Sequence, residues 1–200
     1  MLTLHGHSMI SLDSVTVDPH DGGSIGLPRP VAEAEVCLVT HPHYDHDACH
    51  LVGGRQVVRF YGSATFSGLK VSGLRVYHDR ENGRRRGEVS IYSLEKSSFR
   101  LVHLGDLGHW PSESTLKEIS SPDLLAVPVG GVITIDGKEA ARLVRTVQPK
   151  AVVPIHYWVR GHLMPLDDPT TFQQELGWEQ KTTKNLREDE ISSKTVYLPV

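Results

Sequence analysis

The chain has 200 residues, 38% of them hydrophobic and 22% charged, and a formal net charge of −3. That length suits one folded domain with a substantial core and leaves little room for a second. The charge balance excludes a general electrostatic attraction to nucleic acid or membrane phosphate, and no apolar run approaches the roughly 20 residues of a membrane span. The opening Met1-Leu2-Thr3-Leu4-His5 has neither a basic n-region nor an apolar h-region, so no signal peptide is expected. Cys37 and Cys49 make a poor disulfide framework. They are expected as two buried reduced thiols, which suits a cytoplasmic setting. Histidine is over-used, with 12 residues, and imidazole is the commonest metal ligand.

In chain order, short β-branched runs each end in polar punctuation. Residues 15–17 run into Asp18-Pro19, residues 36–40 into His41, and residues 56–61 stop at Gly62. Residues 74–77 alternate and end at His78, and residues 89–94 alternate throughout. Residues 99–104 stop at Gly105-Asp106, residues 124–129 at Gly130-Gly131, and residues 151–155 at His156. Length, β-branched content and boundaries predict strands. Helices are predicted over residues 45–52, over 114–119 with Ser112 or Ser114 as cap, and over 170–176. The clearest helix spans residues 136–147: Asp136 is a natural N-cap, and Ala140, Leu143, Val144 and Val147 share one face. A polar, tail-like stretch fills residues 179–194 before a last strand at 195–198. There is no repeat, linker or domain boundary, so residues 1–200 read as a single layered α/β domain.

Asp18, His41, His78, Asp106 and His156 each follow a strand's last apolar residue. In layered α/β folds ligands collect outside strand ends, because the sheet holds those positions rigidly. His41, His43, Asp45 and His46 add four metal-binding side chains within six residues. Such a run cannot all face one tetrahedral ion. It suits two adjacent metals, roughly 3.5–4 Å apart in hydrolytic sites.

The run His41-Pro42-His43-Tyr44-Asp45-His46 resembles the H-x-H-x-D-H signature of the metallo-β-lactamase superfamily. Gly6-His7-Ser8 and Asp18-Pro19 are similar to the opening of its UlaG-like, lactonase-related branch. His78-Asp79 resembles the third metal motif and His103-Leu104-Gly105-Asp106 the fourth. Thr134-Ile135-Asp136 and Pro154-Ile155-His156-Tyr157 are similar to that branch's C-terminal half. The resemblance implies a four-layer αββα sandwich with the site at one edge, between two sheets. It also implies a first metal on His41, His43 and His78, a second on Asp45, His46 and His156, and Asp106 bridging them. The implied nucleophile is hydroxide held between two divalent cations, whose coordination lowers the pKa of water from about 15.7 towards 7. Asp45 would orient it and carry its proton. Nitrogen and oxygen donors without thiolate suit Zn²⁺ and also permit Mn²⁺ or Fe²⁺.

Several positions keep two readings. His78 and His103 compete for the third ligand position; motif order favours His78, leaving His103 to support a neighbour or to be a plain strand histidine. Asp18 either accepts the second ring N–H of a ligating histidine or forms the turn before Pro19. His7 lines the pocket or caps the first hairpin. Arg84-Arg85-Arg86, after the turn signal Asn82-Gly83, is a solvated tip or a contact for an anionic group. His5, His20, His50, His109 and His162 have no motif context. The expected activity is hydrolysis of an ester, lactone, amide or phosphodiester bond in a small-molecule substrate. A nuclease is disfavoured by the acidic balance and by the lack of length for a clamp domain. A regulatory metal-binding protein without turnover would be expected to lose Asp45. Members of the family often form homo-oligomers.

Overall fold

The apolar runs pair into two sheets in the computed structural model, which describes residues 1–200. The strands of the N-terminal part are β1 (Leu2–Gly6), β2 (Met9–Leu12), β3 (Val15–Val17), β4 (Val36–Val39) and β5 (Arg55–Val58). There follow β6 (Gly62–Phe66), β7 (Leu69–Tyr77), β8 (Glu88–Lys96), β9 (Phe99–His103), β10 (Leu124–Pro128) and β11 (Ala151–Ile155). The last are β12 (Glu179–Thr182), β13 (Asn185–Leu186) and β14 (Thr195–Leu198). Three α-helices interleave: α1 (Glu113–Glu118), α2 (Gly137–Val147) and α3 (Thr170–Leu176). One sheet has the order β13-β1-β2-β3-β4-β5 and the other β12-β14-β11-β10-β9-β8-β7-β6.

The period of two in a strand sorts side chains between two cores. In β10, Leu124 and Ala126 enter the core between the sheets, with Leu4, Ile10, Tyr92 and Leu94. Leu125 and Val127 enter the core beneath α2 and α3, with Leu143, Val144 and Phe172. A strand buried on both faces reads as a continuous apolar run, as residues 124–129 do. Helix α2 follows the expected pattern. Asp136 accepts from the Glu139 backbone at 2.9 Å while Glu139 accepts from the Asp136 N–H at 3.2 Å, closing a capping box. Ser112 caps α1, accepting from Thr115 N at 3.2 Å.

The fold is the expected α/β sandwich of metallo-β-lactamase type, with the outer layer on the first sheet much reduced. Residues 45–52, expected as a helix, form turns and only a 3₁₀ segment at Cys49–Leu51. The stretch 179–194, expected as a tail, supplies two edge strands. β12 pairs parallel with β14, and β13 antiparallel with β1. No helix is long and apolar enough to cross a membrane.

The cysteines correct the sequence reading, because Cys37 and Cys49 are joined in a disulfide. After β4 the chain turns back over the outer face of its sheet, so that Cys49 lies over Cys37 with a Cα separation of 5.8 Å. Met9, Val39 and Val52 pack around the bond in a small third core. With both cysteines bonded, no free thiol remains to indicate a reducing compartment. A bridge across 12 positions removes loop entropy from the unfolded chain. Reduction, or the double change to alanine, is expected to lower the unfolding free energy by about 2–4 kcal/mol in a urea titration. An unchanged urea midpoint would show that the bond does not constrain the chain.

Candidate metal centre

The strand directions bring the singled-out residues to one edge. β3, β4 and β5 run parallel, and β1 is antiparallel to β2, itself antiparallel to β3. In the second sheet β9, β10 and β11 are parallel, and β7 shares their direction through antiparallel β8. The C-terminal ends of β1, β3, β4, β7, β9 and β11 therefore carry His7, Asp18, the His41–His46 run, His78, Asp106 and His156 respectively. Backbone geometry marks three of these positions. His7, Asp18 and His156 have φ of 49°, 49° and 50°, a left-handed conformation that Asp and His tolerate better than most residues. Gly105 has φ of 51°, and a Cβ there would lie 2.8–2.9 Å from Val89 and Thr40. Only glycine lets Asp106 pass so close to the other sheet.

The centre of the arrangement is Asp106, whose side chain is 1% exposed. Its Oδ2 lies 3.1 Å from His156 Nε2, 3.2 Å from His78 Nε2, 3.3 Å from His46 Nε2 and 3.6 Å from His41 Nε2. Asp45 Oδ2 lies 3.2 Å from His46 Nε2 and 3.6 Å from His156 Nε2. Ligand atoms fall within 4.8 Å of one another in three overlapping sets: His41, His43 and His78; His7, Asp45, His46 and His156; and His41, His46 and Asp106.

Hydrogen bonds behind the site aim these atoms. Asp18 accepts from Thr40 N and Thr40 Oγ1, both at 2.7 Å, and from His46 Nδ1 at 3.0 Å. Because the Thr40 hydroxyl proton goes to Asp18, its oxygen accepts from His41 Nδ1 at 3.0 Å. His78 Nδ1 donates to the Ile133 carbonyl at 3.1 Å. With Nδ1 as donor in all three rings, the Nε2 lone pairs of His41, His46 and His78 point into the site. Those three Nε2 atoms, both ring nitrogens of His156 and both oxygens of Asp106 are buried without a hydrogen-bond partner. So many orphaned donors and acceptors around one point fit a cation, since buried polar groups otherwise find partners.

His103 stands outside this convergence. Its Nε2 donates to the Ser8 carbonyl at 2.8 Å and its Nδ1 accepts from Gly105 N at 3.1 Å, so both nitrogens are committed to holding the turn before Asp106. His7 sits in the turn of the β1–β2 hairpin and its side chain lies against Asp45. Met164 N donates to His162 Nδ1 at 3.1 Å, so His162 Nε2 donates to His7 Nδ1 at 3.2 Å. His7 Nε2 then donates to Asp45 Oδ2 at 3.0 Å. This chain makes His7 a hydrogen-bond partner of Asp45 in addition to its place in the second set. Sequence reasoning gave His162 no role, and no local signal could have linked it to a residue 155 positions away. Thr40 was also passed over, although it directly precedes the motif.

The carboxylates and imidazoles of the site shift one another. Burial would raise the Asp106 carboxyl, but the imidazoles of His156, His46 and His41 hold it well below the usual carboxylate range. Burial likewise opposes charge on Asp45, and His46 heads the groups that outweigh it and hold its carboxyl low. Burial also opposes a proton on His46, yet Asp106, Asp45 and Asp18 raise it well above the ordinary imidazole value. His41 is pushed well below that value, by burial and then by His46.

The sequence and the fold resemble those of known proteins. A model of the Beta-lactamase superfamily domain matches residues 2–156. The chain belongs to the β-lactamase superfamily. A UPF0173 metal-dependent hydrolase of Thermococcus onnurineus is 27% identical over 203 residues, covering 86% of this chain and 90% of that protein. A crystal structure from Thermotoga maritima, assigned to the metallo-β-lactamase superfamily, is 29% identical with a TM-score of 0.79. The match covers 99% of this chain and 97% of that one. Igni18, a metallo hydrolase of Ignicoccus hospitalis, shares the fold at 20% identity and a TM-score of 0.64, over 87% of this chain and 88% of its own.

The histidines around the site give a pH dependence. Burial lowers His5 and His20 to about 4 and His7 to about 3, from an ordinary 6.5. Between those values the unfolded chain binds protons that the folded chain does not, so stability falls as pH drops. His46, with a raised folded value, is protonated in both states below 6.5 and adds no slope there. In chelator, the thermal midpoint is expected to fall steadily from pH 6.5 towards pH 4, while the His46 contribution is lost as pH rises above 6.5. A flat or rising midpoint across that window would contradict the burial of neutral imidazoles.

Proposed function

We infer that the chain is a metal-dependent hydrolase with two metal positions. His41, His43 and His78 hold one, Asp45, His46 and His156 hold the other, and Asp106 reaches both. The observation that carries this reading is the convergence of four imidazole Nε2 atoms within 3.6 Å of one Asp106 oxygen, none of them hydrogen-bonded. Membership of the β-lactamase superfamily and the metal-dependent hydrolases among the relatives support the reaction class. The nitrogen and oxygen donor set suits Zn²⁺ first, with Mn²⁺ or Fe²⁺ as alternatives. Bound there, two divalent cations would acidify a water and polarise a carbonyl or phosphoryl oxygen of the substrate.

The chain's own residues do the rest. Asp45 takes the proton of the attacking water, with His7 donating to its Oδ2 at 3.0 Å to fix its orientation. Asp18, Thr40 and the Ile133 carbonyl keep His46, His41 and His78 in the tautomer that turns Nε2 inward. The contact between His7 and Asp45 gives the Gly6-His7-Ser8 segment a use at the site, which supports placing the chain in the UlaG-like branch. Residues 1–200 act as one domain, since β13 and β14 complete both sheets. The substrate is a small molecule with an ester, lactone, amide or phosphodiester bond, a range the fold does not narrow.

Elemental analysis of the purified protein tests this reading. About two metals per chain are expected in the wild type, falling sharply in His43→Ala and Asp106→Ala. Asp18→Asn, which removes a partner and not a ligand, is expected to weaken metal affinity about 10–100-fold in a chelator titration. A wild-type protein that holds no metal, and takes up none on reconstitution, would overturn the mechanism.

A further inference from the structure

Beyond His43 and His78 the site opens into a cleft of about 740 Å³. One wall is the loop that follows His78, wound around a single carboxylate. Asp79 accepts backbone N–H groups from Glu81 at 2.7 Å, Gly83 at 3.0 Å, Arg85 at 3.0 Å and Arg86 at 2.8 Å. The loop closes where His78 N donates to the Gly87 carbonyl at 3.0 Å. Its arginines therefore leave a fixed backbone, unlike those of a solvated tip.

Most charges along the cleft are already matched. Arg80 grips the Glu139 carboxylate at 2.7 and 2.8 Å, and Arg85 pairs with Glu81 at 2.7 Å. Asp79 is occupied by its four N–H donors, and Asp136 caps α2. Among the cations lining the cleft, the Arg86 guanidinium alone has neither an ion pair nor a hydrogen bond.

Arg86 also borders a second hollow, of about 370 Å³, that is mainly apolar. Tyr44, Val132, Leu163, Met164 and Leu166 line it. Tyr44, Val132 and Leu163 are 57%, 68% and 71% exposed, and exposed apolar side chains gathered at the mouth of a site mark a binding surface. Val132 is held at φ of 56°, which a β-branched residue adopts only under constraint. The next residue, Ile133, anchors His78 through its carbonyl, so this shelf is tied to the candidate metal edge.

We propose that the substrate is an anionic amphiphile, with Arg86 pairing its carboxylate or phosphate group while its apolar arm lies along the Tyr44–Leu163 shelf. A planar guanidinium matches the geometry of both oxyanions, and its free charge is the complement that such a group needs. The apolar shelf begins beside the same guanidinium, so one molecule can use both. The proposal rests on the hydrolase reading only for where the bond is cut.

The test compares two 4-nitrophenyl esters with the metal-reconstituted chain: the hexanoate, which is neutral, and the half-ester of hexanedioate, which ends in a carboxylate. The readout is the ratio of kcat/KM for the anionic over the neutral ester. Arg86→Ala is expected to lower this ratio about ten-fold, chiefly through KM, and Arg86→Lys to restore part of it. Arg84→Ala, a loss of charge on the same loop that borders neither hollow, is expected to keep the wild-type ratio. Calorimetric titration with decanoate reads binding without turnover, and Arg86→Ala is expected to weaken it by a similar factor. Arg86-dependent decanoate binding in a protein that cleaves neither ester would sustain this proposal and remove simple esters from the range of bonds, while the metal content decides the hydrolase reading separately. A ratio and a decanoate affinity within about two-fold of wild type in Arg86→Ala overturn the proposal.

Discussion

A carboxylate buried without a hydrogen bond is among the most costly things a fold can hold, and Asp106 is one. Both its oxygens are hidden from water and face imidazole nitrogens that are themselves unpartnered. Burial opposes a proton on His46, and the negative charge of Asp106, Asp45 and Asp18 pulls the other way, raising it above the ordinary imidazole value. Neither Asp106 nor Asp45 has a lysine or arginine partner; only imidazoles face them. The remaining architecture follows from that constraint: a cage of neutral donors, strand ends to fix them, and Asp18, Thr40 and the Ile133 carbonyl to orient them from behind.

The rigidity of the edge comes from both sheets. β3 and β4 lie side by side, which puts the Asp18 carboxylate against Thr40, and one carboxylate then sets two imidazoles through Thr40 Oγ1 and His46 Nδ1. From the second sheet, Gly105 brings Asp106 across to meet them, and His103 braces that turn against Ser8. The Cys37–Cys49 bond brackets the His41–His46 run from outside, where a short 3₁₀ turn stands in place of a covering α-helix.

Much of this was legible in the sequence, for a local reason. Asp18, His41, His78, Asp106 and His156 each end a β-branched run, and strand boundaries are written in neighbouring residues. Helix α2 was equally plain, with a cap, an apolar face and a polar face. What could not be read depends on distant partners. β12 is polar and largely exposed, and only its pairing with β14 makes it a strand. Residues 45–52 carry helical spacing, but turning Asp45 and His46 into the site uses up the periodicity, and His46 N bonds to the His43 carbonyl instead. The disulfide needs a chain reversal that no spacing of two cysteines announces. His162 reaches the site only through His7, and the role of Asp79 depends on how a loop winds round it.

On the proposed reading, two cations would sit on either side of Asp106. Anomalous diffraction from crystals of the metal-loaded protein, collected at the absorption edge of the bound metal, addresses it most directly. The account predicts two peaks roughly 3.5–4 Å apart, flanking the Asp106 carboxylate. One is expected beside His41, His43 and His78, the other beside Asp45, His46 and His156. A single peak on one set alone, or none at full occupancy of the remaining structure, would contradict it.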